Sequence, residues 1–313
     1  MSDGLIMNTK KYLRLVDAAP VAKESGKVTR IVGNMIEGYL PGASIGSLCR
    51  IFINNGNDYI SVEVVGINEQ RVIMMPYTHV TAIRMGSPIL LYRSRATVKV
   101  GKRLLGRVIN ATGDPLDNKG KILLNEERNL YSDVVNPLNR DPITKPLDLG
   151  VKAINSFITV GEGQRISVLA GSGVGKSVLL GMMSRKSEAD VNVIALIGER
   201  GREVREFIED VLGEEGMRKT VIIAATSDEN ALLRARGAFL AATIAEYFAE
   251  QGNKVLLTMD SVTRYAMAQR EMGLAAGEPP ATKGYTPSVF AQLPKILERA
   301  GNFQGSGSIT GIY

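Results

Sequence analysis

Apolar residues fall in two rhythms along this chain. Between Lys27 and Leu91 they come in short strand-like runs, Val28–Val32, Ser47–Ile53, Tyr59–Gly66, Arg71–Met75 and Pro88–Leu91. The cluster Asn54-Asn55-Gly56-Asn57 between two of these runs carries the residues of a hairpin turn. Several short strands in so small a stretch predict a β-barrel over residues 21–93. Further on, apolar runs alternate with helical spacing. Strands are predicted to end at Leu169, near Gly198, near Ala225 and at Asp260. Helices are predicted over Lys176–Lys186, Glu203–Leu212 and Glu229–Gln251, the last capped by Ser227 or Asp228 and closed by Gly252. Such alternation favours an α/β fold with a mainly parallel sheet, in which ligands sit at the carboxyl ends of the strands.

Two stretches follow neither rhythm. Residues from about 94 to 150 are rich in Gly, Pro and Asn and read as a connecting layer, assigned with the α/β region to one domain of residues 94–313. Residues 1–20 hold a short amphipathic pattern, Tyr12, Leu13, Leu15 and Val16, too brief for a stable helix alone; they read as a docking arm.

Composition narrows the class. The 313 residues are 44% hydrophobic and 22% charged, ordinary for a soluble globular protein. The N-terminus has no apolar signal region, and no run approaches the roughly 18 apolar residues of a membrane span, so the expected location is the cytoplasm. The single cysteine, Cys49, sits in an apolar run and reads as a buried hydrophobe, and the lone His79 has no partners for a metal site. The net charge of +6 permits acidic partners. Arg93, Arg95, Lys99, Lys102, Arg103 and Arg107 cluster, but no aromatics interleave them and the chain lacks Trp. That favours a solvated or subunit-facing surface over a base-stacking one.

The chemistry starts at Ala170-Gly171-Ser172-Gly173-Val174-Gly175-Lys176-Ser177, which follows the apolar run Arg165–Leu169 and precedes Val178–Met183. Strand, Gly-rich turn and helix are the context a phosphate-binding loop needs. Its glycines turn backbone N–H groups onto phosphate oxygens and the helix N-terminus adds partial positive charge. Lys176 supplies a point charge to the outer phosphates, and Ser177 offers a hydroxyl to magnesium. Ala170 stands where the stricter pattern has Gly. Gly171, Ser172, Gly173, Val174, Gly175, Lys176, Ser177 and Val178 are therefore the expected nucleotide-binding residues, with a nucleoside triphosphate and Mg2+ as ligands. The apolar strand Lys254–Asp260 ends in a carboxylate, which makes Asp260 the second candidate magnesium ligand beside Ser177. The strand Val193–Gly198 leads into Glu199-Arg200-Gly201-Arg202-Glu203. If its carboxyl edge lies beside the loop, Glu199 can orient the water that attacks the γ-phosphate; otherwise Glu199 is a surface residue at a charged helix start.

These segments, together with Met259–Tyr265 and Gly277–Tyr285, closely resemble the ATPases of type III protein export, which are similar to the catalytic subunit of rotary ATP synthases. The wording Tyr265-Ala266-Met267-Ala268-Gln269-Arg270-Glu271 resembles the flagellar branch; virulence relatives more often have Arg in place of Met267. The resemblance implies a barrel followed by a RecA-like ATPase domain and Glu199, Lys176 and Arg200 as catalytic residues. It also implies a homohexamer at the cytoplasmic face of the inner membrane, touching stalk and regulator proteins, export substrates and chaperones, and no nucleic acid. Asn155 and Glu162 depart from the family's usual wording. Ser308–Tyr313 reads as a strand just begun, and family members continue for another hundred or so residues, so truncation at the C-terminus is expected. The arginine finger, an adenine-packing aromatic and a helical domain would then lie beyond Tyr313. By the same likeness Gly284–Phe290 is expected to form a loop toward the stalk.

Two other classes fit parts of the pattern. A hexameric RNA translocase also joins a barrel to a RecA-like domain, but it needs stacking aromatics on the barrel, where only Tyr39, Phe52, Tyr59 and Tyr77 occur between Lys27 and Leu91. A non-catalytic nucleotide-binding subunit would be expected to lack the carboxylate at Glu199.

Overall fold

The computed structural model describes residues 24–56, 58–78, 82–132, 135–171 and 173–313, in two compact units that divide between Ser94 and Arg95. The expected docking arm, His79 and Ser172 lie outside the described residues.

The first unit is a closed six-stranded barrel. Its strands are β1 (Ser25–Val32), β2 (Met35–Tyr39), β3 (Leu48–Ile53), β4 (Asp58–Asn68), β5 (Arg71–Pro76) and β6 (Pro88–Arg93), ordered β1-β2-β5-β4-β3-β6. Antiparallel register sets inward residues opposite one another, Ile51 with Ile60, Cys49 with Val62, and Ile36 with Met74. Each of these is buried, and together with Val28 and Ile89 they fill the barrel. Register shifts in β1, β4 and β6 mark bulges that bend the strands toward closure. Sequence reasoning missed β2, because Gly38 weakens a five-residue strand signal. The glycine is there for space: a Cβ at this position would lie 2.4 Å from Ile89 Cδ1 and 2.9 Å from the Lys27 carbonyl oxygen. Cys49 is 1% exposed, and burial pushes its thiol up to about 12. It is a core hydrophobe.

The second unit opens with β7 (Thr97–Val100), β8 (Arg107–Ile109) and β9 (Glu126–Asn129); β7 and β9 pair antiparallel, and β8 is an edge strand of the main sheet. The stretch expected to be only a connecting layer thus contributes three strands. Arg107 also leaves the expected basic surface, since its Nε and Nη2 donate to the Asp117 carboxylate at 2.7 and 2.8 Å.

The remaining elements are α1 (Lys152–Phe157), β10 (Arg165–Ile166), α2 (Lys176–Lys186), β11 (Val191–Ile197), α3 (Gly201–Glu206), α4 (Gly213–Met217), β12 (Thr220–Ala225), α5 (Ala231–Glu250), β13 (Lys254–Asp260), α6 (Val262–Ala275), α7 (Pro287–Leu297), β14 (Gly301–Asn302) and β15 (Ser308–Ile312). The sheet runs β10-β15-β13-β11-β12-β8, parallel throughout, with short β14 antiparallel on β15. Every residue of β11 and β12 is buried, which explains their unbroken apolar sequences: a parallel sheet covered on both faces has no polar side to show.

Several boundaries differ from expectation. The strand predicted to reach Leu169 stops at Ile166, where the chain begins to lift away from the sheet; Val168 still donates to the Tyr313 carbonyl at 2.7 Å, but Leu169 is 93% exposed. The helix predicted from Glu203 starts at Gly201 and runs through a π-helical turn, Phe207–Leu212, into α4. Helix α5 is capped by Asn230, whose side chain accepts from the Leu233 N–H at 3.0 Å, not by Ser227 or Asp228. Of the expected loop Gly284–Phe290, residues from Pro287 onward are the first turn of α7. Among the described residues, no helix is long and apolar enough to cross a membrane.

Candidate functional site

The carboxyl ends of adjacent strands β13 and β11 and the start of α2 hold the residues that the sequence marks. The glycine-rich loop turns through Gly173 (φ 78°) and Gly175 (φ 93°), left-handed conformations that glycine adopts without strain. Gly175 is the N-cap residue of α2, and no side chain caps the helix there. The first backbone N–H groups of the helix are thus left to face a ligand. Lys176 opens α2, Ser177 and Val178 follow, and Gly171, Val174, Ser177 and Val178 are exposed. The loop is mounted firmly: Leu180 and Met183 of α2 join the core that includes Ile194 and Leu196 of β11. Gly181 lets α2 approach the π-helical turn, since a Cβ there would sit 2.1 Å from Val211 Cγ1.

Asp260 ends β13 at 4% exposure, and its Oδ1 accepts from the Lys176 ammonium. The next helix is capped beside it by Ser261, whose hydroxyl accepts from the Arg264 N–H at 3.3 Å. A cleft of about 830 Å³ opens here, lined by Lys176, Asp260, Thr263, Arg165, Leu169 and Tyr313 among others. That volume lies within the usual range for small-molecule sites.

One strand over, β11 ends at Ile197 and Gly198 turns the chain at φ 71°. Glycine is required twice at this point, because a Cβ would also meet the Arg264 side chain at 3.0 Å. The turn delivers Glu199, half-buried, toward Lys176 and Asp260. Its backbone is pinned by the Ser227 N–H, which donates to the Glu199 carbonyl at 3.0 Å. Burial, a hydrogen bond shared with Glu203 and the negative charge of Asp260 push the Glu199 carboxyl up to about 7, against the pull of Lys176. A carboxyl group poised there can accept a proton near neutral pH. Glu203 is held below its usual range, first by the same hydrogen bond from Glu199.

The structure therefore brings Lys176, Asp260 and Glu199 together. Arg200 stands apart: its side chain is 79% exposed and its guanidinium lies 3.7 Å from Glu203 at the start of α3. Sequence reasoning gave Glu203 and Arg264 no role, although one helical turn separates Glu199 from Glu203 and Arg264 sits in the first turn after Asp260. The two departures from family wording have local uses. Asn155 accepts from the Leu149 N–H at 3.2 Å and donates to Asp148 at 2.5 Å, and Glu162 pairs with Lys254 at 2.6 Å.

Magnesium can be tested against this donor set. A buried carboxylate and a hydroxyl are hard oxygen ligands of the right kind, and magnesium is commonly held by one or two carboxylates plus substrate phosphates. Among the described residues no group of three or more His, Cys, Asp or Glu could hold a metal ion unaided. The residues fit a cation that arrives with a nucleotide.

Comparison with known proteins bears on the same region. Residues 150–313 match the model of the ATP synthase alpha/beta family, nucleotide-binding domain. The flagellum-specific ATP synthase of Bacillus subtilis (strain 168) is 49% identical over 310 residues, which are 98% of this chain and 70% of that protein. Its counterpart in Salmonella typhimurium is 49% identical, over 94% of this chain and 67% of its own length. The assembled ATPase EscN, solved with its central stalk EscO from the enteropathogenic E. coli type III secretion system, superposes with a TM-score of 0.84 at 47% identity. That match covers 92% of this chain and 70% of EscN.

Proposed function

From its membership of the ATP synthase alpha/beta family of nucleotide-binding proteins, we propose that this chain hydrolyses ATP to drive protein export through a flagellar type III apparatus. The observation that carries the chemical part is the meeting of Lys176, Asp260 and Glu199 at the carboxyl edge of one parallel sheet.

In this reading the backbone N–H groups of the loop and the first turn of α2 cradle the phosphates, and Lys176 holds the outer ones. Ser177 and Asp260 would hold Mg2+, which when bound neutralises phosphate charge. Glu199 orients the attacking water and takes its proton, and the half-buried setting that lifts its carboxyl to about 7 keeps that proton within reach of neutral solution. Arg200, paired outside with Glu203, serves catalysis only if nucleotide or a neighbouring copy draws it inward.

EscN is solved assembled and with a stalk; by likeness this chain acts in a homohexamer around a stalk protein. The apolar edge Tyr285–Phe290 is the candidate stalk contact: the two rings meet edge to face at 6.4 Å, Arg270 lies 5.8 Å over Tyr285, and Phe290 is 50% exposed. Regulator proteins, export substrates and chaperones are the further partners, and the cytoplasmic face of the inner membrane is the place of work. The 47% identity to EscN supports a virulence secretion system as the second reading; partners captured from cell extract separate the two.

Glu199→Gln tests the chemistry. The amide keeps size and hydrogen bonding but cannot take a proton, so ATP should still bind while turnover falls by a factor on the order of 10² or more. Turnover within about twofold of wild type would return Glu199 to a structural role.

A further inference from the structure

We propose that Lys176 competes with a divalent cation for the same oxygen of Asp260, so that the site admits metal together with a nucleotide and excludes metal alone. The inference rests on the nucleotide-binding reading above and adds to it which form of the ligand is selected.

Asp260 is 4% exposed, and a carboxylate so placed requires a counter-charge. The phosphate loop supplies one from within the chain, because the Lys176 ammonium is in contact with Oδ1. A metal approaching Asp260 alone must displace that ammonium. It would gain one carboxylate and the Ser177 hydroxyl in return, and among the described residues no larger acidic group is available to complete its shell. It would also leave a displaced lysine beside a dication in a cleft partly closed from solvent.

A polyphosphate changes the balance. The Lys176 side chain is 28% exposed and ends in a compact charge on a flexible four-carbon stem. It can turn from Asp260 to phosphate oxygens without leaving the first turn of α2. Asp260 Oδ1 would then be free for a metal that enters with the phosphates, and positive and negative charge would remain matched throughout. The ion pair thus makes metal uptake conditional on nucleotide, and linkage makes the effect reciprocal.

Mn2+ is the probe, since it shares the oxygen preference of magnesium and its bound fraction is read by paramagnetic resonance. The wild-type chain should take up Mn2+ with ADP present and bind it at least about tenfold more weakly without. Lys176→Gln should bind Mn2+ without nucleotide about tenfold or more tighter than wild type does, and adding Asp260→Asn should remove the gain. Lys176→Arg retains the cation and should exclude Mn2+ as wild type does, which separates loss of charge from damage to the loop. A Lys176→Gln chain that gains no Mn2+ affinity over wild type would overturn the proposal. If Lys176→Gln gains Mn2+ but ADP has no effect on wild type, the competition stands and the nucleotide reading fails.

Discussion

In the barrel, Glu63 is buried at 2% exposure in the middle of β4 and accepts a hydrogen bond of 2.5 Å from the Tyr77 hydroxyl. In the nucleotide unit, Asp260 is buried at 4% exposure at the end of β13 and faces the ammonium of Lys176. Both carboxylates satisfy the rule that buried polar groups need partners. They differ in whether the partner can leave. Glu63 meets a neutral hydroxyl in mid-strand, whereas the strand end at Asp260 opens on a cleft where a lysine can be exchanged for a cation. The glycines repeat the contrast: Gly38 clears space inside the barrel wall, and Gly198 turns the chain at φ 71° to present Glu199.

The largest expected effect tests this contrast on ion pairs. Arg107 and Asp117 of the nucleotide unit are 12% and 7% exposed as side chains, while Glu37 of the barrel bridges Arg30 and Arg71 with those arginines 62% and 57% exposed. Asp117→Ala strands a buried guanidinium and should cost about 3–5 kcal/mol; Glu37→Ala should cost under about 1 kcal/mol. Urea denaturation of both variants measures the difference, and equal costs would break the contrast. Acid should act through the same pair. Burial pushes the Asp117 carboxyl up, but Arg107 and the N–H groups of Val108 and Lys119 outweigh it and hold it at about 2. A depressed carboxylate stabilises the fold above its ordinary value, and that stability is lost as pH falls toward about 2. Asp117→Ala should remove this part of the acid transition.

Gly38→Ala should cost about 1–3 kcal/mol by forcing a methyl against Ile89 and the Lys27 carbonyl, read as a fall in the barrel's melting temperature. A melting temperature unchanged within a degree or so would mean the wall yields at β2 and the glycine is incidental. The same residue explains why that strand was illegible. Sequence patterns show how a residue suits a backbone, not how near a distant strand will pass, so a glycine set by crowding reads as a breaker.

Elsewhere legibility followed the strength of periodic signals. The unbroken apolar runs of β11 and β13 and the loop-to-helix step at Lys176 announced themselves, and with them most of the α/β unit. Three-residue β8 fell below any pattern length. The cap of α5 was misplaced because Ser227, Asp228 and Asn230 all suit the role, and only geometry selects Asn230. At the site, residue type and strand-end position pointed to Asp260 and Glu199. The Glu199–Glu203 pair needed the helical turn that brings them together, and the exposure of Arg200 depends on which way α3 leaves the sheet.

The next prediction concerns rate and pH. With Glu199 lifted to about 7 by burial, Glu203 and Asp260, the base form is lost as pH falls through neutrality, so ATP turnover should drop about tenfold per unit below about pH 7. The stability sign is opposite to that of Asp117: a raised carboxyl favours the fold while protonated, and this contribution fades as pH rises through about 7. A turnover flat down to pH 5 would show that Glu199 carries no proton in the reaction.

The smallest expected effect is an absence of reaction, and it closes the comparison on two groups raised by the same cause. Burial lifts the Cys49 thiol from 9.0 to about 12 as burial, first among its causes, lifts Glu199. Cys49 faces Val62 and Leu91 across the barrel strands, apolar residues that offer no charge to exchange. At pH 8 the shift alone lowers its thiolate fraction by a factor on the order of 10³, and thiol reagents attack the thiolate. The native chain should therefore remain unlabelled by a thiol reagent over times that modify the urea-unfolded chain completely. Prompt labelling of the native chain at pH 8 would mean that the barrel opens between β3 and β6 on that timescale. Burial would then seal the barrel no better than it seals the cleft, and the distinction between a raised group that is merely packed and one that is poised would be lost.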